Sequence, residues 1–276
     1  MRYAILGGDL RFAHLAAMLN ESGRIALDFL HERAGGARRS LDALKSCDCV
    51  VMNWPPKWPL SERELSEAQL MENIAPGSSL LLCGPKFPEQ RRWDLQYVNL
   101  WDDENLLQEN AYLTAEAAVA SAMQHSRCVV SGMPAAVVGY GRIGRALTEI
   151  LLNLGSLVTV VSGSAAKRRL IRESGAEAYP PEGLEQALPG RALIFSTPPA
   201  LILDRKALAS VEKGALLIDL ASPPYGVDVE AARELGLNAW REPGLPGRYC
   251  PLSAARVLYR AVIRWEEAEK REANES

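Results

Sequence analysis

An apolar run, a glycine-rich turn and an amphipathic run follow one another at the centre of the chain, and this order limits the fold more than any other feature. Gly139-Tyr140-Gly141-Arg142-Ile143-Gly144 has the spacing G-x-G-x-x-G, with apolar residues over 135–138 before it, a helical pattern over 142–154 after it and a second apolar run over 157–161. Strand, glycine turn, helix and strand make a βαβ unit that binds dinucleotides. The first glycine permits the tight turn, the second lets backbone approach a pyrophosphate, and the third lets the helix pack close to the strand. The helix N-terminus then faces the phosphates. A glycine turn that serves packing alone is the competing reading.

The end of the second strand, about 20 residues on, is where an NAD enzyme carries Asp or Glu on the adenine ribose. Here the chain reads Ser162-Gly163-Ser164, followed by Lys167-Arg168-Arg169. Hydroxyls and cations suit the 2′-phosphate of NADP, which a carboxylate would repel, so NADP is expected with NAD still admissible. Alternatively, Lys167 and Arg168 form the solvated first turn of a helix.

Period and length extend this unit to a whole architecture. A chain of 276 residues makes about two domains. Residues 1–110 alternate strand-like runs (3–6, 25–30, 50–52, 79–82) with helical ones (12–20, 62–73), and the second half repeats the rhythm through 192–195, 216–220 and 237–239. The expected fold is α/β: two doubly wound Rossmann-like domains with a cleft between them. By analogy with two-lobed dehydrogenases, a C-terminal helix crosses back to the first domain. The boundaries read 1–110 for a substrate-side domain, 111–127 for a connecting helix capped by Thr114, 128–250 for the nucleotide domain and 251–276 for the last helix, whose charged end is expected to fray.

Charge and cysteine usage narrow the partners. Lys and Arg number 31 against 34 Asp and Glu, a formal net charge of −3, which offers no broad basic face for nucleic acid. Apolar runs stay far below the roughly 20 residues of a membrane span, and residues 1–8 show no secretory leader, so a cytoplasmic protein is expected. The five cysteines lack disulfide-like pairing, and with three histidines in the chain no zinc spacing forms, so no metal is expected.

Ligands of open α/β sheets bind beyond the carboxyl ends of the strands. In the first half those loops carry Arg11, after Gly7-Gly8-Asp9, and Lys86, after Cys83-Gly84-Pro85. Two cations there suit a small acidic substrate, Arg as a bidentate donor and Lys as a point charge, although ordinary surface cations would read the same. Trp54 and Trp58 sit in a stiff proline-rich loop that fits packing, a dimer contact or a lid equally well. In the second half Thr197 and Pro198, Asp219 to Pro224, and Pro243-Gly244-Leu245-Pro246-Gly247 should border the nicotinamide. Glu116 and His125 on the connecting helix are the candidate proton acceptors, against a first-turn carboxylate and a helix-end residue respectively.

Together these residues resemble the A subunits of dipicolinate synthase. The resemblance runs nearly end to end. It is carried by Gly7-Gly8-Asp9 with Arg11, by Asn110, Thr114, Glu116, Gln124 and His125, by the Gly139 to Gly144 loop, by Asp219-Leu220-Ala221-Ser222, and by Pro243 to Gly247 with Pro251. It implies an NADP- or NAD-dependent oxidation of dihydrodipicolinate, or of its hydrated precursor, to dipicolinate during sporulation, and its implied partner is a flavoprotein-like B subunit. Arg11 and Lys86 would then hold carboxylates and Ser222 a carboxylate or the carboxamide, with a homo-oligomer expected as well. Two other readings stay open: a non-catalytic nucleotide-binding scaffold for a separate catalytic subunit, and a methylene-tetrahydrofolate dehydrogenase-like oxidoreductase. A D-2-hydroxyacid dehydrogenase would need a histidine late in the chain, and none follows His125.

Overall fold

A computed structural model of the chain describes residues 1–29, 41–53, 67–84, 88 and 91–275. Along the chain run β1 (Arg2–Leu6), α1 (Leu10–Glu21), β2 (Ile25–Asp28), β3 (Cys49–Asn53), α2 (Glu67–Glu72), β4 (Ser79–Cys83), β5 (Gln96–Asn99) and α3 (Glu104–Ser126). Then come β6 (Pro134–Val138), α4 (Arg142–Asn153), β7 (Leu157–Val161), α5 (Ala165–Glu173), β8 (Glu177–Tyr179), α6 (Leu184–Ala187), β9 (Leu193–Ser196) and α7 (Arg205–Leu208). The last elements are β10 (Leu216–Asp219), α8 (Val229–Glu234), β11 (Asn238–Arg241), α9 (Leu245–Tyr249) and α10 (Pro251–Glu275). The chain divides into two compact units, Met1–Asn110 with Pro246–Ser276, and Ala111–Leu245.

The first unit holds a parallel five-stranded sheet in the order β2-β1-β3-β4-β5. Its central strands are buried along their length, which explains why 49–53 and 79–83 read as continuous apolar runs without alternation. Leu6, Leu27, Leu44, Met52, Leu70 and Leu82 belong to one core cluster. On α1 the buried residues are Phe12, Leu15, Ala16 and Leu19, spaced three and four apart, and α10 packs against this helix. The charged end of α10 is helical through Glu275, with Glu269 accepting from Gln96 Nε2 at 2.7 Å and Lys270 donating to Glu266 at 2.6 Å.

The second unit holds a parallel six-stranded sheet in the order β11-β10-β9-β6-β7-β8. Two parallel sheets flanked by helices are the α/β class expected from the alternation. The long helix α3 starts ten residues before Thr114, because Asp103 accepts from the backbone N–H groups of Asn105 and Leu106 at 2.9 and 3.1 Å and caps it there. Thr114 is a buried mid-helix residue, not a cap.

Candidate functional site

The order of the second sheet places its topological switch point between β6 and β9, where the chain leaves β6 in one direction and returns to β9 from the other. Gly139 ends β6 with φ +94°, donating its N–H to Val161 O at 2.9 Å. A β-carbon at 139 would collide with Thr197 Oγ1 from across the switch point and stand 2.9 Å from Pro198 Cγ. Thr197 is held in place by donating Oγ1–H to Val138 O at 3.1 Å. Gly144, buried in the first turn of α4, has no room for a β-carbon beside the Gly139 carbonyl. Gly141 differs from both. It is the exposed N-cap of α4, supplies no side-chain cap, and a β-carbon there meets nothing within 4 Å. Two glycines are thus demanded by packing, and the third leaves an open approach to the N-terminus of a twelve-residue helix. Tyr140 and Ile143 are half-buried and Arg142 is exposed around this turn.

Ser162 follows β7 and is buried, its N–H donating to Tyr179 O at 3.0 Å. Ser164 caps α5, accepting from Lys167 N at 3.3 Å. Arg168 folds back over the strand end and donates Nη1–H to the Ser162 carbonyl at 2.7 Å, whereas Lys167 stays exposed. One cation of this basic turn is therefore anchored beside the end of β7.

The loop after β10 is built by Asp219, an acid expected only as a border of the nicotinamide. Its carboxylate is 1% exposed and accepts from the N–H groups of Ala221, Gly226 and Val227 at 3.0–3.1 Å. Three backbone donors define the loop that carries the exposed Ser222 and the half-buried Tyr225, whose ring centroid lies 4.0 Å from the Arg241 guanidinium. A second buried acid, Glu242, accepts from Ser121 Oγ at 2.8 Å and Trp240 Nε1 at 3.0 Å, tying α3 to the end of β11. Neither role has a periodic signal in sequence. His125 stacks on Trp240, ring centroids 4.2 Å apart, with Nδ1 2.8 Å from the Ser121 carbonyl oxygen, the posture of a helix-end residue. Glu116 lies nine residues earlier on α3, exposed, its carboxylate making no hydrogen bond among the described residues.

In the first unit Asp9 caps α1, accepting from Arg11 N at 3.1 Å. The same carboxylate takes the Arg11 guanidinium side-on, Nε at 2.7 Å and Nη2 at 2.8 Å. Gly247 completes this corner, since a β-carbon there would collide with Asp9 Oδ2 and stand 3.1 Å from Arg11 Nε. The Pro-Gly-rich turn therefore backs the Asp9–Arg11 pair. Lys86, Trp54 and Trp58 lie outside the described residues. Among the described residues no group of three or more His, Cys, Asp or Glu could hold a metal, and no helix is long and apolar enough to cross a membrane.

Fold and glycine loop define a two-sheet α/β protein with Rossmann-like topology in each sheet. No family model matches the chain. Over 161 residues it is 31% identical to the A subunit of dipicolinate synthase from Bacillus subtilis (strain 168), a match over 58% of this chain and 54% of that protein. The chain thus spans about half the length of the curated relative it matches. The solved A subunit of dipicolinate synthase from Bacillus halodurans superposes with a TM-score of 0.81 at 23% identity, covering 96% of this chain and 97% of that one. The solved Bacillus subtilis counterpart gives 0.81 at 22% over 99% and 97%. A transhydrogenase from Sinorhizobium meliloti gives 0.72 at 14% over 98% and 94%. These matches support the resemblance to the dipicolinate synthase A subunits read from the sequence.

Proposed function

We propose that the chain is a nicotinamide-nucleotide-dependent oxidoreductase that converts dihydrodipicolinate, or its hydrated precursor, to dipicolinate. The observation that carries this reading is the open Gly141 at the N-terminus of α4, between two glycines that packing alone requires. The bare backbone and uncapped N–H groups fit a pyrophosphate. Bound there, the nucleotide supplies the hydride acceptor. The chain's own residues bind and orient. Arg168, anchored at the end of β7, and the Ser162 and Ser164 hydroxyls fit the 2′-phosphate of NADP, and Thr197 and Pro198 border the nicotinamide half. Arg11, with Lys86 by its place after β4 and Ser222 after β10, holds carboxylates. The dihydropyridine gives up one hydride and one proton, so the protein needs a single base; Glu116, exposed on α3, is assigned to it, with His125, whose Nδ1–H faces the Ser121 carbonyl and whose Nε2 is then an acceptor, as the second candidate. A flavoprotein-like B subunit is assigned as partner for full activity.

The test follows dipicolinate by terbium luminescence together with NADPH absorbance, with and without the partner. Glu116→Gln should lower turnover by about a hundredfold or more while substrate KM stays within a few-fold, since a lost proton acceptor acts in the transition state. Dipicolinate made at one rate with and without nucleotide would remove the oxidoreductase reading and leave the scaffold.

Cofactor choice is tested separately. Ser162→Asp should reverse a preference for NADP over NAD, because the new carboxylate pairs with Arg168 and repels the 2′-phosphate, a change of about tenfold or more. Equal affinities of the unsubstituted chain for the two nucleotides would show that Arg168 does not read the phosphate.

A further inference from the structure

The order β2-β1-β3-β4-β5 gives the first sheet its own switch point, between β1 and β3. Open sheets of this order bind ligands in the crevice outside the carboxyl ends of those two strands. Leu6 pairs with Met52, so the next residues on either side are Gly7 and Asn53. Gly7 and Gly8 have φ +65° and +95°, and a β-carbon on Gly8 would collide with the buried Phe12 ring and stand 3.0 Å from Asn53 Nδ2. The glycine leaves bare backbone on the β1 side, faced by the Asn53 amide from the β3 side. Among the described residues that amide makes no hydrogen bond, although it is half-buried at the end of a buried strand.

Arg11 reaches the same edge. Cys83 neighbours Asn53 in the β3–β4 register, and its thiol, pushed up to about 12 by burial, is pulled down in part by the Arg11 guanidinium. Asp9 occupies Nε and Nη2, and Gly247 closes the space behind the pair, while Nη1 makes no hydrogen bond among the described residues. The Asp9–Arg11 pair carries no net charge. An anion held here depends on directed donors more than on a surplus of positive charge, and a neutral amide at the end of β3 is such a donor.

We propose that Asn53, across the β1/β3 switch point from Gly8, is a substrate-specificity residue whose Nδ2–H, together with Arg11 Nη1, holds one carboxylate of a small dicarboxylate. The proposal rests on the reading of a dianionic substrate given above and adds a residue that reading lacked. Titration calorimetry on the full chain tests it, with dipicolinate as probe and picolinate and malonate beside it. Asn53→Asp keeps the shape, turns a donor into an anion and should weaken dipicolinate about thirtyfold or more. Asn53→Ser, smaller and neutral, should cost about fivefold, and both variants should bind NADP within about twofold of the unsubstituted chain. Dipicolinate affinity unchanged in Asn53→Asp overturns the proposal and leaves the reaction standing. Malonate bound in place of dipicolinate and lost in Asn53→Asp supports Asn53 and removes dipicolinate as the substrate class. Absence of binding by all three carboxylates in the unsubstituted chain overturns Asn53 as a carboxylate contact, whatever the terbium assay gives.

Discussion

Gly144→Ala should lower nucleotide affinity by about a hundredfold or more and destabilise the second unit, whereas Gly141→Ala should lower affinity to a similar extent and leave the melting temperature within about a degree or two. The difference follows from what each added methyl would meet. At 144 it collides with the Gly139 carbonyl and stands 2.9 Å from the carbonyl carbon, backbone that cannot swing aside, so α4 must back away from β6 at a cost of about 1–3 kcal/mol. At 141 the methyl enters open space, and φ is −84°, an angle any L-residue adopts. A stability loss there has no structural source, so lost binding would come from the space a pyrophosphate needs. Thermal melting with calorimetric titration of NADP and NAD reads both variants. If Gly141→Ala binds nucleotide as the unsubstituted chain does, the open approach at α4 is not the phosphate seat.

Glu266→Gln should destabilise the first unit by roughly 3 kcal/mol at neutral pH, and the penalty should fade in acid. Glu266 is 3% exposed. Burial alone would raise its pKa, but Lys270 Nζ at 2.6 Å, Arg24 Nε at 2.6 Å and Tyr3 Oη at 2.8 Å all donate to it and outweigh burial, holding the pKa down at about 2 against an ordinary 4.5. A carboxylate whose folded pKa is depressed contributes stability that is complete above its unfolded pKa, near 4.5, and is lost as pH falls towards 2. A difference of about 2.5 pKa units corresponds to about 3 kcal/mol. Urea unfolding followed from about pH 7 to pH 2 should show the two stability curves converging between pH 4.5 and 2. Parallel curves would show that the charge of Glu266 is immaterial and that only its packing counts.

The parts of this fold that could be read from sequence are those with a local rule. Gly139, Gly141 and Gly144 announce themselves because turn, phosphate approach and helix packing each forbid a side chain at a fixed spacing. The central strands announce themselves because both faces are buried. Strands β5 and β8 carry no such signal: each is a short edge strand, with Gln96 and Glu177 exposed and little apolar content to mark it. The start of α3 is hidden by a polar first turn whose cap, Asp103, also takes Arg264 Nε at 2.9 Å. Arg11 is legible as a cation at a strand end. That Asp9, two residues away, occupies one side of it is not, since no periodic rule brings such neighbours together. Asn53 becomes meaningful only once strand order is known, because the switch point is a property of topology rather than of any segment.

The division of the chain also sets an order of events during synthesis. Residues 111–245 form one unit from a continuous stretch, complete in covalent terms as soon as that stretch has left the ribosome. The unit begun first is the one that must wait, because its carboxylate at 266 and the helix that covers α1 are translated only after that stretch. Until then Tyr3 and Arg24 have no acceptor at that position and the apolar surface of α1 lacks its cover. The nascent segment up to residue 110 is therefore exposed to chaperones longer than residues 111–245, and a ribosome stalled before α10 leaves a folded second unit on an unfinished first one.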